Sequence, residues 1–412
     1  MPIAVALGPS IAGGGSIFAK LEVDQWRAEA ARSPHNLTIN YVAQNPVFGR
    51  QQFASGALDF AVTDIPFLPQ ELRDLQTTSR RAFRYIPISA GGVGFMYQLL
   101  ATDGQPVTSL NLDARTACRI FTDPTMMWND FEIQALNPFV TLPHERVRAI
   151  VRSDEAGTSY ALSQYCIAAA ADVWRAFIAA HQSDPNVDPG LASELPISRW
   201  PTYEAFASAA FPDGVAFAVA DPAGMYSITY NEVAFARIRG LPMASLENAS
   251  GNFVQPTGEA VSVSLGYATG NSDGTFDLDY TPPAPGAYPV AMYSYAIAQT
   301  TGFDPAKGEV LARFLCYAVT RGQRVELTNA LGYASLSVAL VEIARNSISQ
   351  IPGAPVWEQC AVIDPMPPVE IPEAPSPPLL IVSVALVIGS ATLYSRRHHR
   401  SVRPSPRAPS WS

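Results

Sequence analysis

Through its first 350 residues this chain repeats one local event: a short apolar strand ends in small residues and gives way to a helix. A strand at 12–15 precedes an amphipathic run over 19–32. LTINYVA (37–43), a helix around 49–55, ALDFAVTD (57–64) and a helix over 69–75 continue the alternation. Further strands are expected at 85–99, 147–154, 214–221 and 288–298, with helices at 159–165 and 305–320. Such a pattern predicts an α/β protein with mainly parallel strands. With 412 residues, 48% of them hydrophobic, the chain has enough material for two or three domains with buried cores.

Three of the strand-to-helix turns carry residues suited to holding an anion. GGGSIF (13–18) places three glycines before a helix, where backbone N–H groups can approach a ligand closely. TDIPF (63–67) leaves Asp64 at the end of a strand, as an anion-facing acid or as the cap of helix 69–75. RSDEAGTS (152–159) ends a strand on Arg152 and opens a helix with small residues, so a guanidinium joins the N–H groups there. In open α/β sheets ligands bind beyond the carboxyl ends of the strands, where these turns can meet.

Other chemistry has little to stand on. There is no G-x-x-x-x-G-K-[ST], no G-x-S-x-G and no H-E-x-x-H, and GGVG (91–94) does not extend to a dinucleotide fingerprint. No nucleophile–base pair is visible, so the chain is not read as an enzyme, and no cofactor is expected. Three scattered histidines (His35, His144, His181) and two in the tail argue against a metal site. A net charge of −9 with only 15% charged residues excludes a nucleic-acid partner.

Together with NYVAQNPVFGRQQFASGALDFAVTDIPF (40–67), RIFTDPTMMWNDFEIQALNP (119–138) and VRSDEAGTS (151–159), the first turn resembles the phosphate-binding receptors of bacterial ABC phosphate importers. Fainter similarity continues through GVAFAVADPAGMYSITY (214–230), YPVAMYSYAIA (288–298) and LGYASLS (331–337). The resemblance covers roughly residues 10–350. It implies a two-lobed periplasmic-binding-protein fold of type II. One lobe would comprise 1–87 with 256–350 and the other 88–255, with phosphate or a related small oxyanion in the cleft between them. It also implies delivery of that ligand to ABC permease subunits.

Residue by residue, the implied site is half intact. Phe18 matches the first turn, but Ile17 stands where the family has a Thr, with Ser16 before it. Pro46 replaces a Ser, losing both hydroxyl and N–H. Asp64 matches the acid that accepts the phosphate proton, Arg152 the arginine, and Asp154 its orienting carboxylate. The third turn reads Ala156, Gly157, Thr158 where the family has Ser-Gly-Thr. Three absent hydroxyls, at ~1.5–3 kcal/mol each, would together weaken binding by roughly 4–9 kcal/mol if nothing replaced them. Ser16, Asn45, Thr63 and Ser153 are the available substitutes. Two readings therefore stand: an anchored oxyanion receptor, or a receptor-like surface protein with a structural, adhesive or sensing role and no tight phosphate binding.

The C-terminal part has a different character. Residues 351–378 are proline-rich and read as an extended stalk. Residues 379–394 are uncharged and mostly apolar, so a transmembrane helix is expected over 379–395. The tail, 396–412, carries five arginines and no acid, which places it in the cytoplasm and the body outside. That topology requires a signal sequence ahead of the given start, because MPIAVALGPSIAGGGS lacks a basic region and an apolar run. Four cysteines in an exported protein permit two disulfides in three connectivities. Cys316–Cys360 is favoured, with Cys118–Cys166 as its companion and four free thiols as the alternative.

Overall fold

The computed structural model describes residues 9–181, 194–201 and 206–361, with only the backbone of Cys360 and Ala361. β1 (Ser10–Gly15), α1 (Lys20–Ala30), β2 (Thr38–Ala43), α2 (Pro46–Ser55), β3 (Phe60–Thr63) and α3 (Pro69–Thr78) lead to the long strand β4 (Phe83–Gln98). Next come β5 (Asn111–Leu112), α4 (Ala114–Thr122), α5 (Phe131–Leu136), β6 (Arg148–Arg152), α6 (Gly157–Ala169) and α7 (Ala171–Ala180). β7 (Ala207–Ala209), α8 (Phe211–Ala220), β8 (Ser227–Glu232), α9 (Val233–Arg239), β9 (Ser245–Glu247) and β10 (Phe253–Val254) follow. The last part holds α10 (Gly258–Leu265), the hairpin β11 (Thr269–Gly270) and β12 (Phe276–Asp277), and β13 (Ala291–Gln299). It ends with α11 (Pro305–Val319), α12 (Val325–Leu331), β14 (Tyr333–Ala334), α13 (Val338–Ile348) and α14 (Trp357–Ala361).

Local chemistry accounts for the boundaries. Asn45 Oδ1 accepts the Phe48 N–H at 2.7 Å, and Pro46 at the first helical position of α2 gives up an N–H that the helix does not need. Asp113 caps α4 with a reciprocal bond to Thr116, and Asp304 caps α11 ahead of Pro305.

The main sheet runs β2-β1-β3-β13-β4-β8-β6-β7, with β14 also on β4. It is mixed rather than mainly parallel. β1 is parallel to β2 and β3, and β6 to β7 and β8, but β13 is antiparallel to β3 and β4, and β4 to β8. The long central strands are the reason: β4 pairs with β13 from Phe83 to Gly92 and with β8 from Val93 to Gln98. One continuous strand thus joins the two parts of the sheet. On one part α1 and α11 pack, with Phe60 against Phe314 at 6.0 Å between ring centres. On the other, Phe121, Trp174, Trp200 and Tyr230 form an aromatic core beneath α4, α6 and α7.

Two further expectations are corrected. Residues 214–221 are not a strand: 214–220 lie in α8 and Asp221 ends it, with Pro212, Val215, Ala216 and Val219 buried at helical spacing and Phe217 exposed. The apparent alternation came from alanines, which are small on any face and favour helix. The proline-rich stretch does not begin as a free stalk either. Ile351 is buried, the Pro352 carbonyl packs against Gly308 of α11, and Arg345 lies 5.5 Å over the Trp357 ring. The rest of the stretch, the apolar run at 379–395 and the basic tail lie outside the described residues. Among the described residues no helix is long and apolar enough to cross a membrane.

Cys118 of α4 and Cys166 of α6 form a disulfide, as expected. Cys316 is also disulfide-bonded. The side chain of Cys360, its expected partner, lies outside the described residues.

Candidate functional site

The first turn closes on the second. Gly15 adopts φ +132°, and a Cβ there would lie 2.0 Å from the Val62 carbonyl, so only glycine lets β1 turn at this point. The buried Ser16 follows. Its N–H donates to Val62 O at 2.8 Å, and its hydroxyl donates to Asp64 Oδ1 at 2.6 Å. Ile17 is half-buried and Phe18 buried, the latter edge-on to Tyr333, whose hydroxyl donates to the Phe18 carbonyl. α1 then starts on Ala19, which offers no side-chain cap of its own.

Asp64 is not the cap of α3. The Leu68 N–H is bonded instead by Glu71 at 2.8 Å. Asp64 faces inward, with Oδ1 accepting from both Ser16 and Ser294. Burial pushes its carboxyl up to about 6, although the two serine hydroxyls and the charges of Arg152 and Arg50 act the other way. Arg50 is itself buried and held by Glu71 through Nε at 2.9 Å and Nη2 at 3.2 Å.

The third turn supplies the fixed cation. Arg152 is 2% exposed and makes a two-pronged contact with Asp154, Nε–Oδ1 2.8 Å and Nη2–Oδ2 2.7 Å. Its Nη1 reaches Thr158 Oγ1 at 3.4 Å, and its N–H reaches the Tyr230 hydroxyl, which also contacts Ser159 Oγ at 2.8 Å. Burial opposes the guanidinium charge, but Asp154 and Glu232 outweigh it and raise its pKa. Asp154 lies below the usual range: burial raises it, and the bond and charge of Arg152 lower it by more. Ala156 is buried with its N–H on the Ser198 carbonyl, and α6 opens at Gly157 with no side chain capping its first N–H groups.

These turns meet. A Cβ on Gly157 would lie 2.5 Å from Asp64 Oδ2, so the opening of α6 packs directly on the Asp64 carboxylate. A cavity of about 130 Å³ adjoins the contact, lined by Asp64, Gly157, Tyr160, Gln164, Tyr280 and Tyr295 among others. Of the hydroxyl substitutes, Ser16 serves Asp64, Asn45 caps α2, and Thr63 Oγ1 donates to Ile65 O at 2.6 Å. Ser153 is half-buried, with its N–H on the Ala209 carbonyl.

Sequence reasoning missed Ser294, Tyr230, Tyr333 and Glu232. Glu232 had a readable signal, since it ends the strand SITYNE just as Asp64 follows FAVT. The other three sit inside strands, where hydroxyls carry no visible mark.

The family model of the PBP superfamily domain matches residues 8–321. The chain belongs to that superfamily and to its phosphate-binding-protein family. It is 31% identical over 293 residues to phosphate-binding protein PstS 3 of Mycobacterium tuberculosis, covering 69% of this chain and 72% of that one. It is 25% identical over 353 residues to phosphate-binding protein PstS of Methanocaldococcus jannaschii, covering 82% and 85%. The phosphate-binding protein structure from Stenotrophomonas maltophilia superposes with a TM-score of 0.59 at 18% identity, covering 84% of this chain and 96% of that one. That likeness is of fold. These relatives are named as phosphate-binding proteins, not as enzymes, and the chain is not an enzyme.

Proposed function

We propose that this chain is an extracytoplasmic solute-binding protein that holds phosphate or a related protonated oxyanion between Asp64 on one side and Arg152, Gly157 and Thr158 on the other. In this reading the ligand cleft lies between two lobes joined by β4 near Gly92, and the captured anion passes to ABC permease subunits. Residues 379–395 anchor the protein, with the arginine-rich tail in the cytoplasm. The observation that carries the reading is the packing of Asp64 on the uncapped start of α6, beside an arginine already oriented by Asp154.

The arrangement has a selection logic. An Asp64 carboxylate repels a bare anion but accepts a hydrogen bond from one that carries a proton, which separates phosphate or arsenate from sulfate. Arg152, prevented by Asp154 from turning away, supplies charge-assisted donors, and the α6 N–H groups complete the cradle.

A second reading, a surface protein without tight capture, draws on Ile17, Pro46 and Ala156, and on the commitment of Ser16, Asn45 and Thr63 to other partners. Calorimetric titration of the full chain in detergent with phosphate, arsenate and sulfate separates the two. The receptor reading expects micromolar or tighter phosphate binding, no sulfate binding, and at least about a hundredfold loss in Arg152→Ala. Absence of heat with every oxyanion, from folded protein, would favour the second reading.

A further inference from the structure

We propose that Glu232 is a ligand-contacting residue of this site, held protonated so that its free oxygen donates a hydrogen bond to the bound anion. The inference rests on the oxyanion reading above.

The placement comes from the sheet. β8 runs parallel to β6 with Ile150 opposite Thr229, so continuing the register brings Glu232 beside Ser153, one residue past Arg152. Glu232 also pairs with Val93, at the point where β4 exchanges β13 for β8. Strand alternation puts it on the same face as Tyr230, whose hydroxyl touches the Arg152 N–H and Ser159. Glu232 therefore stands at the carboxyl end of the parallel strands, on the face that Tyr230 shares with the start of α6, within reach of the Arg152 charge.

Its side chain is only partly employed, in a bond to its own backbone N–H. The residue is 3% exposed, yet Oε2 has no hydrogen-bond partner. A buried ionised carboxylate with an unmatched oxygen is expensive, and an orphaned polar atom in a native interior calls for a reason. Besides its own backbone N–H, four groups act on it or are acted on by it: Arg152, Asp64, Asp154 and the Tyr333 hydroxyl. The Arg152 charge is already matched by Asp154. If Asp64 and Glu232 were both ionised, two unmatched negative charges would face an anionic ligand.

Protonation resolves both difficulties. Burial, with a smaller push from the Asp64 and Asp154 charges, raises the Glu232 carboxyl to about 7, against the pull of Arg152 and of its own backbone N–H. In the protonated form Oε2–H is a donor in a site that lacks the hydroxyls Ile17 and Ala156 cannot provide. The pair then divides the work: Asp64 accepts the proton of the ligand, and Glu232 donates its own.

The test is calorimetric titration of the full chain with inorganic phosphate at pH 6 and pH 8, for the wild type, Glu232→Gln and Glu232→Ala. Glu232→Gln keeps a donor and should stay within about threefold of the wild type at pH 6, whereas Glu232→Ala should bind about 10–100-fold more weakly. Between pH 6 and pH 8 the wild type must recover a proton on Glu232, so its affinity should fall about tenfold more than that of Glu232→Gln. If Glu232→Ala does not fold, this difference in pH dependence decides alone. Equal affinities and equal pH dependence in wild type and variants would overturn the role of Glu232 while leaving the oxyanion reading intact. A wild type that binds no phosphate at either pH would remove both.

Discussion

Asp64, which the proposed reading sets against an anion, is a buried carboxyl kept at some expense to the fold. It is 8% exposed, with a carboxyl raised to about 6 from an ordinary value near 3.8. Between those two values the folded protein holds a proton that the unfolded chain has released. Its contribution to stability is therefore intact below about pH 4, falls as pH rises through about 6, and is flat above. At ~1.4 kcal/mol per unit, the loss is about 3 kcal/mol. Asp64→Asn keeps an acceptor for Ser16 and Ser294 but cannot ionise. Its ligand-free form is expected to be about 2–3 kcal/mol more stable than the wild type at pH 8 and no more stable at pH 3.5, read from urea midpoints. An equal gain at both values would show that Asp64 is not held against its own ionisation. Glu22 of α1 is a second buried acid of this kind: neither of its carboxylate oxygens has a partner, and burial raises its pKa well above the usual range despite the nearby Ser89 hydroxyl.

The opening of α6 matters because two elements touch there through a glycine. With Asp64 pinned by two serines, it cannot swing aside for a Cβ 2.5 Å from Oδ2. Gly157→Ala is expected to lower stability by about 1–3 kcal/mol through overpacking and to abolish phosphate binding, measured by denaturation and titration of the same sample. Unchanged binding would mean that the anion does not sit at this contact. The elements themselves were largely legible, because capped helices and apolar strands announce themselves: α11 was read from Pro305 onward, whereas α2 was read only from about residue 49, its Asn45-Pro46 cap passing unused. α8 was misread because its alanines blur the difference between periods of two and 3.6. The site was legible where a charged residue ends a strand, as with Asp64 and Arg152. Ser294 and Tyr333 were hidden because strand pairing brings them there across 230 and 315 residues of chain, to Asp64 and Phe18.

For the whole molecule, the charge balance sets how a ligand arrives. Residues 1–395 carry 22 bases against 36 acids, so the body repels an anion at long range. In the proposed reading, capture must therefore depend on contacts within the cradle. The association rate of phosphate, followed by stopped-flow tryptophan fluorescence, is expected to rise about twofold or more between 20 and 200 mM salt as this repulsion is screened. A rate that falls with salt would mean that a local positive field dominates after all. The sheet gives the same molecule its continuity: β4 belongs to both parts, so any movement of one part relative to the other would bend that strand near Gly92 and Val93.

The most direct test of the account is a crystal structure of the protein grown with phosphate. The account predicts one anion with an oxygen on Asp64, others on the Arg152 guanidinium, Thr158 and the first N–H groups of α6, and Glu232 Oε2 within hydrogen-bonding distance. An anion bound elsewhere, with Asp64 still packed against Gly157 and Arg152 engaged only by Asp154, would contradict it.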